Sequence, residues 1–168
     1  MSNQTTPVSY ITITGLPDLQ SKFPENKIVN ILNDFQQQHY TDHATIYSVI
    51  NSLYKSLNMP QIQVPLPNLF FSDAPSFNIF LTNNRSDHAL FYQATTQIAQ
   101  ELVTKGYGVT PTLINFNENL VQSTNEYSYL TIDKFIQQEV TIHNAFMRYL
   151  EILIDTLNKT PIPLAGGS

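Results

Sequence analysis

Apolar positions recur along this chain with two different periods. Val8 to Thr14 (VSYITIT) is a β-branched run closed by Gly15, Leu16 and Pro17, and it predicts a strand. From Pro24 the period changes. Ile28, Ile31, Leu32 and Phe35 lie at helical spacing behind a proline at the first helical position and Glu25 in the first turn, so a helix is expected over 24–39. Asp42 can cap a second helix, whose stripe is Ile46, Val49, Ile50, Leu53 and Leu57 and which Met59 and Pro60 stop. Residues 60–76 hold four prolines and read as extended loop or edge strand.

Phe77 to Thr82 (FNIFLT) then predicts a strand, residues 86–105 a helix capped by Ser86 and closed by Lys105 and Gly106, and Val109 to Phe116 a second strand. That order suggests a parallel crossover, with Pro111 pushing the last strand to an edge. After a loop over 117–126 and a short strand at 127–130, one long helix is expected over 131–158. The predicted fold class is therefore α/β or α+β: a small mixed sheet with a strand-helix-strand unit at 77–116, two N-terminal helices and a long C-terminal helix. A polar arm at 1–7 precedes a single globular domain at 8–158 and an extended tail at 159–168, and no repeat is visible.

The C-terminal helix carries the densest pattern. Ile132, Phe135, Ile136, Val140, Phe146, Met147, Leu150, Leu153, Ile154 and Leu157 make one stripe, and Ile142, Tyr149 and Ile152 widen it to about half the circumference. This second flank is the candidate interface to a neighbouring subunit. Glu139 and His143 interrupt the stripe four residues apart and so share a helix face. They form a candidate polar pair, read as mutual satisfaction at a layer boundary because one carboxylate–imidazole contact defines no reaction. His39 and His43 close one N-terminal stripe and open the other. If those helices pack on the C-terminal one, His39, His43, Glu139 and His143 converge as a zinc-type set of three imidazoles and a carboxylate. The helix break expected at Thr41 and Asp42 spoils that spacing, so no metal, cofactor or catalytic residue is assigned.

Composition narrows the function classes. Only 12% of the residues are charged, the net charge is -5, and Asn, Gln, Ser and Thr supply 58 of 168 residues, so neutral amides and hydroxyls do the solvating. A net charge of -5 with only two arginines, Arg85 and Arg148, argues against direct nucleic-acid binding. Absence of cysteine removes thiol chemistry and disulfides. No signal peptide or membrane-spanning run is visible. A low-charge chain with nine Tyr and ten Phe fits a protein largely covered by neighbours. The expected function is a non-enzymatic structural subunit of a large symmetric assembly, a neck or tail component of a tailed-phage virion assembled in the host cytoplasm, whose partners are copies of itself in a ring and neighbouring structural proteins. The alternative is a small α/β ligand-binding domain or enzyme with its site on the loop after the 77–82 strand, where Asn83, Asn84, Arg85, Asp87 and His88 cluster ahead of a helix N-terminus.

Overall fold

The fold is a bundle of three long helices, seen in a computed structural model that describes residues 28–63, 70–108, 113 and 128–159. We label them α1 (Ile28–Ser56), α2 (Ala74–Thr104) and α3 (Tyr129–Leu157). Among the described residues there is no strand, which overturns the expected α/β or α+β class. The strands expected at 8–14 and 109–116 lie, but for Leu113, outside the described residues, as do the arm 1–7 and the tail from residue 160. The strand expected at 77–82 is the second turn onward of α2.

Local chemistry explains α2. Asp73 is its N-cap in extended backbone and accepts from Ser76 N at 2.9 Å, while Ser76 Oγ accepts in turn from Asp73 N at 3.1 Å. This reciprocal box, with Pro75 in the first turn, satisfies orphan amides and starts the helix well before Ser86. From there Phe77, Phe80, Leu81, Asn84, Asp87, His88, Phe91, Ala94, Thr95, Ile98 and Leu102 form one buried stripe. Phe and Ile in FNIFLT favour strands, but the 3.6-residue stripe outweighs that preference. The helix ends as expected at Lys105 and Gly106. Gly106 takes φ 83°, its N–H reaching Val103 O (3.0 Å) and that of Tyr107 reaching Leu102 O (2.8 Å), the pair of bonds that closes a left-handed C-terminus. In α1 Asn58, φ 58°, plays the same part beside Met59 and Pro60.

The three helices run parallel. Along α1 and α2 the contacts ascend together, from Gln36 with Phe71 through His39 with Asn84, His43 with Asp87 and Tyr54 with Gln97 to Leu57 with Lys105. Phe35, His39 and Asp42 meet Phe135, Glu139 and His143 of α3 in the same sense. The register is regular: adding 45 takes a position of α1 to its neighbour in α2, and adding 55 takes that to α3. Buried side chains consequently stack in layers of three, beginning with Phe35, Phe80 and Phe135 and ending with Leu57, Leu102 and Leu157. A sequence repeat is thus present, strongest at the core positions and around the histidines, where Thr41-Asp42-His43-Ala44 matches Ser86-Asp87-His88-Ala89.

Candidate polar centre

Two successive layers are polar. His39, Asn84 and Glu139 form the first, and His43, His88 and His143 the second, between an aromatic cluster around Phe35, Phe77, Phe80 and Phe135 and a longer apolar cluster from Ile46 to Leu157. All four imidazoles and Glu139 are fully enclosed, at 0–1% exposure. The second layer is close to an equilateral triangle, with ring centroids 5.0, 5.3 and 5.5 Å apart for His43–His143, His43–His88 and His88–His143. Each histidine is placed by the same turn of its own helix, and the parallel register brings the three together.

Carboxylates hold the outer edges of two rings. His43 Nδ1 donates to Asp87 Oδ2 at 2.7 Å, and His143 Nδ1 donates to Asp42 Oδ2 at 2.9 Å. Each Asp immediately precedes the histidine of its own helix and reaches the histidine of the next helix round the bundle. The third member of that cycle is Ile142, so the arrangement is threefold in backbone and twofold in charge. Asp87 also accepts from the Tyr47 hydroxyl (2.8 Å) and Asp42 from Gln38 Nε2 (2.7 Å). Because Nδ1 of His43 and His143 faces outward, their Nε2 atoms face the axis. There Glu139 Oε1 lies 2.9 Å from His39 Nε2, 3.3 Å from His143 Nε2 and 3.7 Å from His88 Nε2, and Asn84 Oδ1 lies 2.8 Å from His39 Nε2.

The electrostatics divide the imidazoles. Burial holds His39 down to about 4 against the opposing hydrogen bond of Glu139, and burial with the neighbouring imidazoles pushes His43 well below its ordinary value. Burial also works against His143⁺, but hydrogen bonds to Asp42 and Glu139 outweigh it and lift this group to about 9. Glu139 sits well below the usual carboxylate range, since the field of His88 and the hydrogen bonds of His143 and His39 outweigh its own desolvation. Desolvation raises Asp87, and desolvation with the Asp87 hydrogen bond raises Tyr47. Chemically this is a sealed cluster of nitrogen and oxygen donors with one ion pair at its heart.

Of the residues singled out from sequence, Glu139 and His143 do share a buried site, joined by His39 and His43 because α1 is unbroken at Thr41 and Asp42. The five residues expected on a ligand loop lie inside α2. Asn84, Asp87 and His88 are buried members of the polar centre, while Asn83 and Arg85 are partly exposed. Of the expected interface, Ile142 and Tyr149 are buried in the chain's own apolar core and only Ile152 is partly exposed. Sequence reasoning missed the roles of Asp42 and Asp87, each of which hydrogen-bonds a histidine on another helix. Comparisons with known protein families, curated proteins and solved structures return no match. No helix among the described residues is long and apolar enough to cross a membrane.

Proposed function

We propose that the chain is a non-enzymatic structural subunit, a rod whose polar centre fixes the register of three parallel helices. The observation that carries this reading is the common register itself. Antiparallel neighbours need only about 2–8 connecting residues, whereas each parallel neighbour requires the chain to retrace a helix of about 43 Å. This chain devotes 17 residues to the first connection and 24 to the second, and 17 residues reach at most about 60 Å. Such an arrangement reproduces within one chain what three separate chains build in a parallel trimeric coiled coil. Buried polar side chains suit a register device, because any slip along the axis puts a histidine or carboxylate against leucine or phenylalanine without a partner.

Full enclosure of the imidazoles and Glu139 supports the non-enzymatic part, since a reacting group must meet its substrate. The setting we propose is the one that the low-charge, amide-rich composition suggests, a symmetric assembly such as the neck or tail of a tailed-phage virion. Size exclusion with light scattering over a concentration series tests it. We expect species at multiples of 19.1 kDa that grow with concentration; a monomer at every concentration counts against self-assembly.

A further inference from the structure

We propose that the polar centre is a binding site for one divalent transition-metal ion of the zinc class, held by His39, His43, His143 and Glu139. The ligand atoms of these four residues all lie within 4.8 Å of one another, with His39 Nε2 and Glu139 Oε1 2.9 Å apart. A tetrahedral ion with bonds of about 2.0–2.1 Å spaces its ligands about 3.3 Å apart, so small side-chain adjustments close the set around an ion. Three imidazoles and one carboxylate are borderline donors of the kind that Zn²⁺ takes. Asn84 Oδ1 and His88, both beside Glu139 or His39, line the same space and would allow a further ligand.

Two independent features point to a cation rather than to a hydrogen-bonded plug. Glu139 Oε2 is buried and makes no hydrogen bond among the described residues, although a plug built only from hydrogen bonds should use every polar atom it buries. The outer Nδ1 atoms of His43 and His143 are taken by Asp87 and Asp42, and a carboxylate on the far side of an imidazole orients it and increases its basicity toward a metal. The surrounding charge agrees. Glu139 at the axis and Asp42 and Asp87 on the outer edges of two rings place three buried carboxyl groups around one centre, and a divalent ion offsets the cost of desolvating them. Since one chain supplies every ligand, the proposal does not depend on self-assembly: metal content is read per chain, assembly as mass.

Full-length protein, purified in chelator, is dialysed against Zn²⁺ and its metal content measured, with Co²⁺ as a spectroscopic substitute. Expected are about one ion per chain, a higher melting temperature in Zn²⁺ than in chelator, and the visible absorption of Co²⁺ in a low-coordinate nitrogen and oxygen site. Asp87→Asn should weaken binding about 10–100-fold, and the double variant His43→Gln with Glu139→Gln should abolish it while helical circular dichroism persists. Folded wild-type protein that takes up no Zn²⁺ overturns the proposal, and so does uptake that the double variant leaves unchanged. If the double variant fails to fold, the wild-type metal content and the Asp87→Asn affinity decide.

Discussion

At the scale of single residues, the polar centre puts strong constraints on a few groups. Asp87 accepts from both His43 Nδ1 and the Tyr47 hydroxyl, so Asp87→Leu leaves two buried donors without an acceptor. A buried donor left without its acceptor costs about 1–3 kcal/mol, and denaturant titration of the metal-free protein should show a loss of at least that order. The pH dependence in chelator follows from two opposed shifts. His39 is held to about 4, below its ordinary 6.5, so the unfolded chain binds the extra proton between these values and stability falls as the pH drops from 6.5 toward 4. His143, lifted to about 9, contributes stability that is complete below 6.5 and lost as the pH rises through 9. His43 and Glu139, both shifted downward, add to the loss on the acid side. The melting temperature in chelator should therefore peak near pH 6.5, and a curve still rising from pH 7 to 9 contradicts the His143 assignment.

At the scale of elements, α1 and α2 are each one continuous helix across a segment whose sequence reads as a boundary. Thr41 is exposed in the interior of α1, its hydroxyl bonded to Gln37 O at 3.0 Å. Thr41→Pro removes an amide and collides with the preceding turn, at a cost of about 3 kcal/mol or more; a linker between two helices would accept it almost unchanged, and thermal melting separates the two. The reason the sequence misleads here is physical. Helix boundaries are read where an apolar stripe stops, and both stripes stop at the polar layers: His39, Asp42 and His43 in α1, Asn84, Asp87 and His88 in α2. In α3 only Glu139 and His143 intrude, flanked by Phe135, Ile136, Ile142 and Phe146, and its expected span, 131–158, falls within two residues of Tyr129–Leu157. The pairing of Glu139 with His143 was legible because it is local. The partnership of Asp87 with His43 was not, because it needs the register between helices, which no periodicity within one helix contains.

At the scale of the whole molecule, the parallel register is the property on which the rest depends, and it is directly measurable. The natural chain has no cysteine, so introduced thiols are unique labelling sites. Asn33 and Val103 are exposed and Asn78 partly so. Asn78 is the register equivalent of Asn33 in α2, whereas Val103 stands 25 residues further along that helix. With axes about 8–10 Å apart, spin labels on Asn33→Cys and Asn78→Cys should lie within about 25 Å. A rise of 1.5 Å per residue puts labels on Asn33→Cys and Val103→Cys about 38 Å apart along the axis. An antiparallel pairing of α1 with α2 reverses the order of the two distances. It would also separate His39 from Asn84 and His43 from Asp87, dismantling the polar layers. Pulsed electron spin resonance on the two double variants thus bears on every layer at once: the expected order, short for 33 with 78 and long for 33 with 103, is the only one in which four imidazoles and three carboxyl groups share one buried centre.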